Sequence, residues 1–85
     1  MLFVLPYPSR RGFWMKNMKF SIDIIWLNTK KRIIHIEKSL EPCISHCHVF
    51  YPKEESKYVL ETVAGFTDKH NLKEKDIVFF QLKKD

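Results

Sequence analysis

The strongest constraint on this chain is its punctuation: short runs of β-branched and aromatic residues, each stopped by turn-forming residues before it reaches helical length. Met1 to Leu5 reads as a strand. Pro6-Tyr7-Pro8-Ser9 reads as the turn that ends it, because proline fixes φ and offers no N–H to a ladder. Phe13 to Met18, Ile22 to Leu27 and Ile33 to Glu37 read as the next three strands. Asn28-Thr29-Lys30-Lys31 is short, polar and Asn-led, which predicts a β-hairpin between the last two. Ile34 and Ile36 alternate with His35 and Glu37, the period of a half-buried strand with its isoleucines inward. Leu40 to Pro52 is the longest irregular stretch, and Lys57 to Val63 the fifth strand. Thr67 reads as the N-cap of one helical turn through His70, with Asn71 ending it. Asp76 to Leu82 is the last strand. Six strands and one helical turn predict a mainly all-β fold, a small antiparallel barrel or sandwich.

Length and composition narrow the class further. At 85 residues the chain reads as a single domain over 1–85 with a thin core. A hydrophobic content of 45% excludes a disordered segment, and a mere two glycines, Gly12 and Gly65, exclude a low-complexity one. No apolar run approaches the roughly 20 residues of a membrane-spanning helix. The apolar opening stops at Pro6, too early for a signal peptide, so a cytoplasmic location without a membrane partner is expected. The net charge of +5 raises the question of nucleic acid. Lysine supplies twelve of the fifteen cations, however, and they are spread along the chain without a recognition motif. That pattern describes a solvated surface and disfavours nucleic acid as a partner.

Phe13-Trp14-Met15-Lys16-Asn17, then Ile22-Asp23-Ile24-Ile25-Trp26, then Tyr58-Val59-Leu60-Glu61 with Ala64-Gly65-Phe66, follow one another in order. Pro42-Cys43 and Tyr51-Pro52 lie between them. Together they resemble the uncharacterised family known as domain of unknown function 192, over nearly the whole chain. The resemblance implies a mostly antiparallel β barrel with one small helix, and it implies no reaction. Members usually carry a further segment before the Met-Leu-Phe stretch that opens this chain. A shortened member would lack a strand or two, and its open sheet edge would invite a homo-oligomer or another partner. Lys75-Asp76 also replaces the family's usual Gly-Asp before the final strand.

Asp23 is a carboxylate between two isoleucines, so it is either solvent-facing or buried with a partner. Lys16 on the neighbouring strand is the obvious cation, Asn17 supplies donors and an acceptor, and Glu61 could join from a later strand. With Trp14 and Trp26 as walls, these residues form a candidate pocket for a small polar ligand, with Trp14, Lys16, Asn17, Asp23 and Glu61 as binding residues. The competing reading is a structural network that sets strand register. Two carboxylates without a known separation do not define an enzyme, so the sequence leans away from catalysis.

Cys43, His46, Cys47 and His48 crowd one loop. They are candidate ligands for a transition metal such as zinc. A Cys43–Cys47 disulfide and two free thiols are the alternatives, and cytosolic thiols stay reduced. His35 and His70 read as surface residues. Phe13, Trp26, Phe50, Phe79 and Phe80 read as core, with one of the adjacent pair Phe79 and Phe80 turned outward. The chain thus reads as a small binding domain, with edge-to-edge protein pairing as the alternative.

Overall fold

The third strand organises the molecule. In a computed structural model describing residues 1–80, the elements are β1 (Leu2–Ser9), β2 (Phe13–Trp14), β3 (Ile22–Leu27), β4 (Ile33–Leu40), β5 (Val49–Phe50), β6 (Ser56–Val63) and α1 (Phe66–Lys69). All six residues of β3 are buried. A strand flanked on both sides and covered on both faces is a near-continuous apolar run, and Ile22-Asp23-Ile24-Ile25-Trp26-Leu27 is one, Asp23 apart. The main sheet has the order β1-β6-β3-β4, every pair antiparallel, and β2 and β5 form a separate two-stranded ribbon.

The fold is therefore all-β, but the expected barrel does not close: β1 and β4 are opposite edges of an open sheet. Side-chain alternation along β3 divides the core in two. Ile22, Ile24 and Trp26 pack with Leu5, Met15, Ile34 and Val59 on one face. Ile25 and Leu27 pack with Ile33 on the other, under Leu72, Val78 and Phe80. Each fully buried side chain of this size contributes about 1.5–3 kcal/mol relative to exposure.

Several local expectations change in the folded chain. The prolines do not end β1: Pro6 and Pro8 lie inside it. An edge strand tolerates this because a missing N–H on the solvent side breaks no ladder bond, and the register is irregular between Val4 and Ser9. The second strand is cut to Phe13–Trp14, because Asn17 turns the chain at φ 64° and Lys16 bridges to Cys43 instead. Asn28 builds its predicted turn, its side-chain oxygen accepting from the N–H groups of Lys30 (2.9 Å) and Arg32 (3.0 Å).

The inward alternation of Ile34 and Ile36 fails. Trp26 pairs with His35 and Leu27 with Ile33, so Ile34 is an extra residue and the sides exchange. His35 consequently stands on Trp26, ring centroids 5.2 Å apart, rather than in solvent. Thr67 lies inside α1 rather than capping it, and Gly65 takes the cap position at φ 92°, where a side chain would be strained. Asn71 does adopt the left-handed conformation expected of a helix end, at φ 52°. The last predicted strand is reduced to a bridge between Arg32 and Ile77, and its residues 81 and 82 lie outside the described ones. Of the adjacent phenylalanines, Phe79 is exposed and Phe80 packs on Tyr58.

Candidate functional site

Asp23 is completely buried. One carboxylate oxygen accepts from the N–H of Ser39 at 2.8 Å and of Gly65 at 3.3 Å. The other accepts from the N–H of Thr67 at 3.0 Å and its hydroxyl at 2.8 Å. Burial by itself would push the carboxyl pKa up. The bonds from Thr67, Ser39 and Gly65 outweigh it and hold the pKa below the ordinary 3.8. Lys16 is not among the partners. Asp23 thus lies inside this network and does not line the cleft that holds Glu61. It ties β3 to the end of β4 and to the start of α1, the structural alternative to a pocket.

The other candidate residues separate into two places. Trp14 and Lys16 are exposed, with the Lys16 ammonium 5.2 Å from the centre of the Trp14 ring. This cation–π geometry is worth about 0.5–1 kcal/mol at an exposed site. Asn17 is exposed on the same turn, and its N–H donates to the Cys43 carbonyl at 3.0 Å. Glu61 stands apart on β6, opposite Ile24. It is half-buried in an open cleft of about 300 Å³ lined by Met1, Met18, Phe20, Ile22, Thr62 and Val63. Burial pushes its pKa above the ordinary 4.5, and the nearby Met1 amino group opposes that shift without cancelling it. No side-chain hydrogen bond of Glu61 occurs among the described residues.

Cys43 and Cys47 are joined in a disulfide, with Cα atoms 5.8 Å apart. Their sulfurs are bonded to each other and cannot at the same time ligate a metal. The bridge is the disulfide alternative to a metal site at Cys43, Cys47, His46 and His48. Among the described residues no three histidine, cysteine, aspartate or glutamate side chains gather as a metal cluster. The bridge closes a loop whose first residue is stitched to the Trp14–Asn17 turn, since the Cys43 N–H also donates to the Met15 carbonyl at 3.1 Å.

Sequence reasoning missed Thr67, Ser39 and Gly65 as the partners of Asp23, and Met18 and Phe20 as walls of the Glu61 cleft. Thr67 and Gly65 carried a signal, a hydroxyl and a glycine where a helix begins. Ser39 carried none, because its N–H reaches Asp23 through a positive φ of 52° late in β4.

A small open-sheet β domain with a sealed carboxylate network and a separate half-buried glutamate is the class that emerges. The chain belongs to the DUF192 family, described as an uncharacterized ACR, which it matches over residues 1–80. It is 28% identical over 80 residues to a UPF0127 protein of Thermococcus gammatolerans, covering 92% of this chain and 49% of that protein. It therefore spans about half the length of this curated relative. Two crystal structures share the fold at 25% identity. One is a proposed transcription regulator from Sinorhizobium meliloti, with TM-score 0.83, covering 91% of this chain and 58% of that one. The other is a protein of unknown function from Novosphingobium aromaticivorans, with TM-score 0.85, covering 94% and 56%. No helix among the described residues is long and apolar enough to cross a membrane.

Proposed function

We propose that this domain binds a small polar ligand at the Glu61 cleft, whose walls include Met18 and Phe20. The observation that carries the reading is a half-buried carboxyl among apolar walls that has no side-chain partner among the described residues. A half-buried carboxyl among apolar walls is partly stripped of water, and a ligand bearing a hydrogen-bond donor or a cation offsets that loss. The matching ligand is a small amine or amino alcohol with a short apolar arm, set against Met18 and Phe20.

The pKa shift has a sign that can be measured. A carboxyl whose folded pKa is raised keeps its proton longer in the native state than in the unfolded one. Stability therefore falls as pH rises from about 4.5 through the folded value, and the loss persists above it. Glu61→Gln is expected to leave stability at pH 7 unchanged or higher in urea unfolding. The same variant should lose the chemical-shift changes that small alkylamines and amino alcohols produce at the Met18 methyl group in the native protein. Absence of such changes in the native protein at millimolar amine would remove this reading.

A second reading, pairing through a sheet edge, is favoured by β1, which has β6 as its one neighbour in the sheet. Val4 and Tyr7 on this strand are exposed. Pro6 and Pro8 restrict pairing to the first half of the strand. Sedimentation at rising concentration should reveal a dimer that Val4→Lys abolishes, and a monomer throughout would count against it. The Sinorhizobium protein is described as a proposed regulator of transcription. In this chain α1 has four residues and is too short to act as a recognition helix.

A further inference from the structure

Three of the cations, Arg10, Arg11 and Lys16, lie within one short stretch of chain, and the fold sets them among exposed aromatic rings. Arg10, Arg11 and Gly12 join β1 to β2. The Arg10 Nε donates to the Pro52 carbonyl at 3.0 Å, which sets that guanidinium beside the Tyr51 segment. The Arg11 carbonyl accepts the indole N–H of the buried Trp26 at 3.2 Å, which anchors its backbone to the core. Gly12 lets Tyr51 lie directly on the chain: a Cβ there would stand 2.6 Å from the Tyr51 ring and 2.6 Å from Val49. Val49 in turn pairs with Trp14, over whose ring the Lys16 ammonium stands. Two clefts meet along this line. One, of about 430 Å³, runs past Tyr7, Ser9 and Arg10 to Arg11. The next, of about 410 Å³, runs from Arg11 past Gly12 to Trp14 and Val49.

Three further observations make this more than a solvated surface. No acidic residue lines either cleft. Arg10, Arg11 and Lys16 form no ion pair among the described residues, whereas Lys38 and Lys53 elsewhere do. Tyr7, Trp14 and Tyr51 are 68%, 52% and 55% exposed, three large rings left in water along one track. A track of unpaired cations and open rings suits a strand whose phosphates meet the cations while its bases stack on the rings. It does not suit a duplex, whose bases are already stacked.

We propose that this face binds single-stranded nucleic acid, with Arg10, Arg11 and Lys16 on phosphates and Trp14 and Tyr51 under bases. The proposal is independent of the Glu61 cleft and uses none of its walls.

The test is fluorescence anisotropy of the whole chain with a labelled oligothymidylate of about eight nucleotides, within the range one small β domain occupies. Binding is expected at low salt, with a log–log salt slope near −2 for three phosphate contacts at about 0.7 each. Arg11→Ala and Lys16→Ala should each weaken it and reduce that slope by about 0.7. Trp14→Leu, at an exposed position and checked for folding by circular dichroism, should weaken it about tenfold or more through lost stacking. Lys69→Ala, the same charge change on α1, should leave it unchanged. No binding at low salt overturns the proposal. So does binding that Trp14→Leu leaves intact, or a duplex of the same length bound equally well, since both would mean charge attraction without stacking.

Discussion

Asp23→Ala is expected to remove on the order of 4 kcal/mol of folding stability, because it leaves the donors of Ser39, Gly65 and Thr67 without their acceptor. A domain of this size has a total stability of about 4–13 kcal/mol, so the loss threatens the folded state itself. Thr67 suffers most, since both its donors are buried with the carboxylate, whereas the Ser39 and Gly65 residues are exposed and water can replace part of the loss. Asp23→Asn should cost less, because the amide oxygen keeps part of the network, although the amide NH₂ then faces other donors. Urea unfolding of the two variants measures the difference. A loss below about 1 kcal/mol for Asp23→Ala, the net worth of a single ordinary hydrogen bond, would show that the network is dispensable.

The same carboxylate dictates an acid limit. Its folded pKa lies below 3.8, so its contribution is complete above that value and disappears as pH falls through the folded one. Acid unfolding of the native protein should therefore steepen below about pH 4, and Asp23→Asn should flatten that limb. Glu61 works in the opposite direction, gaining nothing from ionisation on folding. A site that binds through Glu61 is thus expected to stand on a residue that does not stabilise the empty domain.

Trp26→Ala is the second large effect, expected at about 3–5 kcal/mol for a fully buried tryptophan. Trp26 packs edge-on to Phe13 at 6.2 Å and to His35 at 5.2 Å between ring centroids. Its indole N–H also holds the Arg11 carbonyl. Trp26→Phe separates the two roles. It keeps an aromatic core and loses the bond, so it should cost less than the alanine variant while loosening the Arg10–Gly12 segment. Thermal unfolding measures the first effect and amide exchange at Gly12 the second. Equal stability of Trp26→Ala and the native protein would contradict its place at the centre of the larger core cluster.

The β class, the bounds of the Ile22–Leu27 strand and the Asn28 turn were all legible in the order of residues, whereas the burial and central place of that strand were not. Each rests on contacts within a few positions: an apolar run too short for a helix, or an asparagine oxygen bonding its own following backbone. Asp23 also stood out, because a carboxylate among isoleucines must be resolved somehow. Who resolves it was a tertiary decision. Ser39, Gly65 and Thr67 are distant in sequence, and two of the four bonds come from backbone N–H groups of exposed residues that no side-chain reading identifies. Sheet closure was likewise open, since local alternation does not say which strand lies at an edge, and β1 carries prolines there that read as a turn. The sides of β4 were open as well, because one extra residue at Ile34 exchanges them. The arginine and lysine side chains were visible from the start as charge. Folding alone brought Tyr51 to the stretch that carries Arg10, Arg11, Trp14 and Lys16, because the β2–β5 pairing joins residues far apart along the chain.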